Sequence, residues 1–403
     1  MKKTALFLIP FLFFMIAISQ SVPLRADAQA SKASEVALLQ DTVTTVKAKV
    51  VSIESEEVRA VPGTDITSNY QTIKVRILEG AEKDKTITVA NDYLSLKKGE
   101  TFYLTITIRG EDGREMYAVS EPYRLPAVLF FVGLFIALVI IFGGIQGIRG
   151  LLSLAGSLIL IIYVLLPGVL HGYSPVLVSL GVAALIIIVG SYITHGFNKT
   201  TSAAVIGMIV TIAFTGVLAY AAVHWSRLSG FSNEEAVYLN LDTRGSIDFV
   251  GLLLGGILIG LLGVLYDVAI GQAISVEELN RVAPHLPRSV IFKRSIRIGR
   301  EHIGALVNTL AIAYVGVSLP LLLLYMKSSD SSIALTLNRE LFATEIIRTM
   351  IGSIGLVLAV PITTLIAVWM LMKRENDASE EDSVSAEKIA KEQEAIEHVG
   401  HSH

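Results

Sequence analysis

The sequence predicts an α-helical polytopic membrane protein, with about seven transmembrane helices and an N-terminal exported β domain that is a small, OB-like barrel. Of the 403 residues, 52% are hydrophobic and only 17% are charged, and the mean hydropathy is +0.61. A soluble domain of this length would carry more charge. Long apolar segments alternate with polar blocks, and a segment with β-strand alternation follows an export signal near the N-terminus.

The first thirty residues have the pattern of a signal peptide, assigned to 1–30. Two lysines precede a short apolar stretch at 5–18, and Ala26, Ala28 and Ala30 give the small-residue pattern of a cleavage site. We expect cleavage after one of the last two alanines; the alternative is an uncleaved anchor. Either reading exports the segment that follows.

Residues 31–124 are expected to form an extracytoplasmic β-rich domain. Alternating or β-branched runs predict five strands, at 43–53, 72–78, 86–89, 102–108 and 116–119. Turn residues separate the runs, at Pro62-Gly63, Glu79-Gly80, 97–100 and 110–113. Five short strands indicate a small barrel of OB-like type. No basic–aromatic stripe accompanies them, so we expect no nucleic-acid partner.

The helical domain is assigned to 125–372, and each span needs about 20 apolar residues. Seven segments qualify, at 126–146, 150–170, 174–194, 201–223, 248–270, 303–325 and 345–372. Residues 373–403 form a polar tail, with His398, His401 and His403 at its end.

Basic residues give an independent prediction of orientation. Export of the β domain makes 147–149, 195–200, 271–302 and the tail cytoplasmic. These segments carry more Lys and Arg than the outer loops, in agreement with the positive-inside rule. We therefore expect a multi-pass protein of the cell membrane, with the β domain outside and the C-terminus inside.

The fifth span is rich in glycines, four of them at spacings that let neighbouring helices approach closely. The predicted packing residues are Gly251, Gly255, Gly256, Gly260 and Gly263. The alternative is functional: a smooth glycine face would let neighbouring helices slide past it, or would line a narrow pathway.

Polar residues at the inner ends of the fifth and sixth spans are the candidate substrate or ion pathway. They are Asp267, Gln272, Glu301, His302, Asn308 and Thr309. Ionisable residues within spans are costly and often functional, and histidine titrates in the range that proton transfer needs. The alternative is an interhelical hydrogen-bond cluster that fixes the fold. Near the outer end of the last span, Glu345 and Arg348 lie one turn apart, a spacing that allows an ion pair.

The segment between these spans is strongly basic and is predicted to contact inner-leaflet lipid or a partner. Its cations are Arg281, Arg288, Lys293, Arg294, Arg297 and Arg300. Topological anchoring is the plainer interpretation. Membrane lipid is thus one expected partner, and a homo-oligomer or a paralogous membrane subunit is another.

The sequence contains no recognised catalytic or nucleotide-binding motif. There is no cysteine, no Walker loop, no H-E-x-x-H and no nucleophile elbow. We therefore assign no catalytic residue, no metal site and no cofactor, and we expect no enzymatic activity.

Three stretches resemble the YibE/F family of bacterial multi-pass membrane proteins. They read GLLGVLYDVAIGQ at 260–272, SVEEL at 275–279 and IGREHIGALVNTLAIAYVGVSLPLLLL at 298–324. The resemblance extends over roughly 125–372, and the exported β domain fits the family's layout. In the family an acidic pair or a Tyr-Asp pair near position 267 and an acid at 301 are usual, positions that Tyr266, Asp267 and Glu301 occupy here.

Two functions follow as hypotheses. The first is a permease or exporter of an ion or small polar solute, with the polar cluster on its path. The second is a non-transporting membrane scaffold or sensor whose outer β domain binds an exported partner or ligand.

Overall fold

The computed structural model describes residues 41–60, 67–92, 94–110, 112–327 and 332–372. The predicted signal peptide, the whole polar tail 373–403 and the Pro62-Gly63 turn lie outside these ranges. The chain divides into two compact units, Met1–Leu134 and Phe135–His403.

The first unit contains an antiparallel sheet whose five strands fall where the alternating pattern predicts them. They are β1 (Thr42–Ala60), β2 (Thr67–Ile77), β3 (Thr86–Asn91), β4 (Thr101–Ile108) and β5 (Glu115–Pro122). Alternate residues of β2, namely Ile73, Val75 and Ile77, are fully buried, as period-two patterning requires. They pack with Phe102 and Leu104 of β4 in one apolar core.

The strand order is β3-β2-β1-β4-β5, so β1 pairs with both β2 and β4. Register shifts near Val50 and Ser52 mark irregular pairing in β1, and irregularities of this kind bend a strand. The result is a half-barrel: no ladder joins the described residues of β3 to those of β5. The OB-like closed barrel is therefore not confirmed. A cluster of polar side chains, Lys85, Glu82, Glu115 and Tyr117, bridges this open seam instead.

The second unit is helical, and its first helix begins in the unit before it. The helices are α1 (Leu125–Leu160), a π-helical turn (Ile161–Leu165), α2 (Leu166–Leu170), α3 (Pro175–His195), α4 (Lys199–Trp225), α5 (Glu234–Asp242), α6 (Phe249–Val282), α7 (Arg288–Val317), α8 (Leu319–Lys327), α9 (Ile333–Asn338) and α10 (Glu340–Leu371). Side-chain caps fix several starts: Asn198 accepts the Thr201 N–H at 2.7 Å, and Asp248 accepts the Gly251 N–H at 3.0 Å.

In the described part of the chain, five helices are long and apolar enough to cross a membrane. A sixth candidate is the pair α7 and α8, which is bent by 62° at the break between them. Pro320 lies just after this break and cannot donate a backbone hydrogen bond. The predicted count of seven is not confirmed, because the first two predicted spans form one continuous stretch, Leu125–Leu170.

Gly144 interrupts that stretch, with φ 54° and ψ −138°. A Cβ placed on Gly147 would overlap the carbonyl oxygen of Val139. In a straight helix these residues would be about 12 Å apart along the axis. The chain therefore turns sharply at Gly144.

Helix α6 is the centre of the helical unit, because it packs against α3, α4, α7 and α10. Leu258, Leu261 and Leu265 on its buried side are at most 2% exposed and join the main core. The helix continues for more than a turn beyond the predicted end of the fifth span at residue 270.

Candidate functional site

Helix α6 has two different faces, and its glycines are divided between them. Gly251 and Gly255 are buried: a Cβ on Gly251 would lie 3.3 Å from Pro175, and one on Gly255 would overlap the Ser179 hydroxyl. These two glycines bring α6 and α3 into close contact. The other predicted packing glycines, Gly256, Gly260 and Gly263, are exposed.

The exposed glycines continue into a polar residue on the same face. We call this face the glycine stripe; it consists of Gly256, Gly260, Gly263, Asp267 and Gly271. The spacings of four, three, four and four residues keep all five members on one side of the helix. A Cβ on Gly260 would come within 3.4 Å of the Tyr314 hydroxyl of α7, so α7 borders the stripe.

Asp267 is the acid of this stripe, and its carboxylate has no ion-pair partner in the described chain. It is exposed, and it follows a stretch of α6, 249–265, in which every residue is apolar or glycine. Glu345 of α10, by contrast, is paired with Arg348 at 2.8 Å. Asp267 therefore supplies an unbalanced negative charge on the surface of a candidate span.

Gln272 is buried in the helix packing and does not face an open surface. It is 4% exposed, and its Nε2 donates to the Ser295 carbonyl of α7 at 2.7 Å. A Cβ on Gly299 would lie 2.9 Å from the Gln272 Oε1, and Gly299 also meets Val360 of α10. Gln272 thus fixes the contact of α6, α7 and α10.

The remaining predicted residues lie on the exposed side of α7. Glu301, His302, Asn308 and Thr309 are all exposed. Glu301 and Asn308 lie about 200° and 180° around the helix from the buried Gly299, so they share a face, as predicted, but it points away from the helix contacts. The structure does not bring the six predicted pathway residues together: Asp267, Gln272 and the α7 group occupy three separate surroundings.

The predicted lipid-contact cations also differ among themselves. Arg288 donates to the Met372 carbonyl that follows α10, and Arg281 pairs with Glu278. The other four, Lys293, Arg294, Arg297 and Arg300, are exposed on α7 and have no ion pair in the described ranges.

A polar cluster that sequence reasoning missed lies between α6 and α3. The Tyr266 ring packs against α3 at Gly190, and the buried hydroxyls of Tyr266 and Ser191 have no hydrogen-bond partner among the described residues. The nearby Thr194 hydroxyl donates to the Gly190 carbonyl at 2.8 Å. The ring of His195 lies 5.9 Å from that of Tyr266. The sequence signal was a tyrosine next to the single acid of an apolar span; its partners on α3 could not be identified without the packing.

Among the described residues no group of three or more His, Asp or Glu side chains is placed to hold a metal ion. The polar side chains around Tyr266 offer proton and hydrogen-bond chemistry, with the Asp267 carboxyl group, the hydroxyls and the His195 imidazole.

Comparison with known proteins identifies relatives for the helical unit. The model of a family described as YibE/F-like protein matches residues 131–373, which is more than half of the chain. Searches of the curated proteins and of the solved structures found no significant match.

Proposed function

Because the chain belongs to the YibE/F-like protein family and has helices able to cross a membrane, we propose that it is a permease or exporter of an ion or small polar solute. The observation that carries the proposal is the unpaired Asp267 carboxylate on the glycine stripe. A charged side chain that faces hydrocarbon is costly, and such residues usually face a water-filled cavity or a partner.

The surroundings of Asp267 suit a polar pathway. Glycines on either side of it leave backbone groups accessible and keep the surface smooth, and the Tyr314 hydroxyl borders the same stripe. The α7–α8 break follows Tyr314 by only four residues. Broken helices with freed backbone groups occur in transporters where they line a cavity.

We propose seven spans in the cell membrane, with the β unit extracytoplasmic and the tail cytoplasmic. The turn at Gly144 supports this count, because dividing Leu125–Leu170 there adds one span, and the bent pair adds another. The orientation rests on the excess of basic residues in the predicted inner segments. The β unit is proposed to be of OB type, because a β3–β5 ladder would complete that strand order.

Lipid is the proposed partner of the exposed apolar surface, and Lys293, Arg294, Arg297 and Arg300 are proposed contacts with anionic headgroups. The exposed Glu301 and Asn308 favour a second copy or a paralogous subunit against that face of α7, since hydrocarbon offers no hydrogen bonds. We propose no enzymatic activity, because the sequence has no recognised catalytic motif.

The test is a flux measurement on purified protein in liposomes with a panel of radiolabelled inorganic cations, anions and small polar solutes. We expect flux of at least one class above protein-free liposomes, with a loss of about a hundredfold in Asp267→Asn, the scale of removing one essential charged group. Asp242→Asn removes an exposed acid from the short helix α5 and serves as the matched control. Flux that is unchanged in Asp267→Asn contradicts the proposal.

The second candidate is a scaffold or sensor, and the shape of the sheet favours it. Beyond residue 55, β1 pairs only with β2, and both strands are largely exposed there. This two-stranded arm offers unpaired edges to an exported protein. Shortening the arm would abolish function without changing flux if this candidate is correct.

A further inference from the structure

The buried hydroxyls beside Tyr266 need an explanation that the packing does not supply. Ser191 is fully buried and its hydroxyl has no partner within the described part of the chain, and the same is true of the buried Tyr266 hydroxyl. An unpaired buried hydroxyl costs about 1 to 3 kcal/mol. Two such groups in one place indicate a site for an additional polar species, such as water or a proton in transit.

The groups around these hydroxyls can all exchange protons. Asp267 follows Tyr266 directly in α6, so its carboxyl group lies about 100° further around the same helix turn. On the other side lies the half-buried His195, the last residue of α3, with its ring 5.9 Å from the tyrosine ring. A phenol, an aliphatic hydroxyl and a neutral imidazole can each donate and accept a hydrogen bond, whereas a carboxyl group accepts when ionised and donates when protonated.

The position of the cluster connects the glycine stripe with a helix end. Asp267 lies on the exposed stripe of α6, whereas His195 ends α3 at a segment that is predicted to be cytoplasmic. The Tyr266 ring contacts α3 at Gly190, where a Cβ would lie 3.9 Å from the ring, and Gly190 itself makes room for the Ser153 hydroxyl of α1, which a Cβ would crowd.

The other ionisable groups on the neighbouring helices are exposed or are bonded elsewhere. Arg149 of α1 and Lys199 of α4 are exposed, and the Tyr192 hydroxyl of α3 is bonded to Ser202 at 3.0 Å. On the α7 and α10 sides of α6, Gln272 is engaged with Ser295, and Glu345 is paired with Arg348.

We propose that Tyr266, Ser191, Thr194 and His195 form a proton path between the Asp267 carboxyl group and the end of α3, so that solute transport is coupled to protons. This inference rests on the proposed function, and it names the coupling ion. The O–H bond of protonated Asp267 breaks as its proton passes to a bridging water or to Tyr266. Each hydroxyl accepts one proton and releases one, and His195 accepts the last and releases it to water. Asp267 is left as a carboxylate and takes its next proton from water at the exposed glycine stripe, while Tyr266, Ser191, Thr194 and His195 return to their neutral forms.

The experiment uses the full-length protein in liposomes that contain the pH dye pyranine, with a potassium gradient and valinomycin to set the membrane potential. We expect proton entry above that of protein-free liposomes. Tyr266→Phe and Ser191→Ala should lower it roughly a hundredfold, the lower end of what a positioned proton-transfer group contributes. Tyr192→Phe removes a hydroxyl from the same helix bundle and should leave proton entry unchanged. His195→Gln should remove the dependence of proton entry on pH between about 5 and 8.

The outcomes separate the two proposals. Solute flux without proton entry, or with normal proton entry in Tyr266→Phe, overturns the path and leaves the permease intact. Equal losses in Tyr266→Phe and Tyr192→Phe show a structural effect and also overturn the path. Proton entry that depends on Asp267 and Tyr266, with no solute flux from the whole panel, supports the path and contradicts the permease. Size-exclusion profiles and melting temperatures establish that each variant is folded.

Discussion

At the residue scale, neighbouring glycines of α6 have opposite surroundings. Gly255 faces Ser179 and Pro175 of α3, whereas nothing lies within 4 Å of a Cβ placed on Gly256. Both belong to pairs spaced four residues apart, at 251/255 and 256/260. Close packing is required at the first pair, and the second is free for another role.

Replacing each glycine by alanine should therefore change stability in opposite directions. Gly255→Ala places a Cβ 3.2 Å from the Ser179 Cβ and against its hydroxyl, and such overpacking costs about 1 to 3 kcal/mol. Gly256→Ala meets no atoms and gains up to about 1 kcal/mol of helix propensity. Thermal unfolding in detergent should show a lower melting temperature for the first variant and an equal or higher one for the second. Equal destabilisation of both would mean that the exposed stripe is also packed.

At the element scale, the open seam between β3 and β5 is held by side chains. Lys85 bonds Glu82 at 2.6 Å and Glu115 at 3.2 Å, and the single O–H of Tyr117 lies within hydrogen-bonding distance of both acids. The hydrogen bond from Tyr117, followed by that from Lys85, lowers the pKa of Glu115. The hydrogen bond to Glu82, followed by that to Tyr117, raises the pKa of Lys85.

These shifts predict a seam that weakens in acid. The lowered pKa of Glu115 stabilises the folded sheet at pH values above the ordinary carboxyl pKa of 4.5. This stability is lost as the pH falls through the pKa that Glu115 has in the folded state. The raised pKa of Lys85 stabilises the seam at every pH below the ordinary lysine value of 10.5, and this stability is lost only in strong alkali. Hydrogen exchange, normalised for its intrinsic pH dependence, should show protection of β3 and β5 falling below pH 4.5 in wild type.

A matched pair of variants tests the cause. Glu115→Gln should show weakened protection already at neutral pH and little further change in acid. Glu121→Gln is the control. It lies in the same strand, but it removes only the ion pair with Arg124, which does not cross the seam. Acid sensitivity that persists in Glu115→Gln would assign the effect to another group.

At the scale of the whole molecule, the sequence could predict the strands and the apolar helices because their periodicity is local. The alternation at Ile73, Val75 and Ile77 needs no knowledge of the partner strand. The pathway residues were harder, since a helical position says which residues share a face but not where that face points. Glu301 and Asn308 share a face, yet it is turned away from α6. Tyr266 could not be connected with Ser191 and His195 because they lie far apart in the sequence.

Gly144 decides the topology of everything that follows it. If the chain crosses the membrane twice between 125 and 170, Tyr173 lies on the same side as the β unit, and the basic residues of α7 face the cytoplasm. If Leu125–Leu170 crosses once, Tyr173 lies on the opposite side, and every later loop is inverted. The sharp turn between Val139 and Gly147 and the positive-inside rule both favour two crossings.

The chain has no cysteine, so single cysteines can report the side of each loop without a background. We expect a membrane-impermeant maleimide to label Tyr173→Cys in intact cells, as it labels Thr45→Cys in the sheet. Phe197→Cys, in the loop after α3, should be labelled only after the membrane is permeabilised. The reverse pattern for Tyr173 and Phe197 would show that the Gly144 turn is a kink within one span. The proton path proposed from Asp267 to His195 would then open to the outside rather than to the cytoplasm.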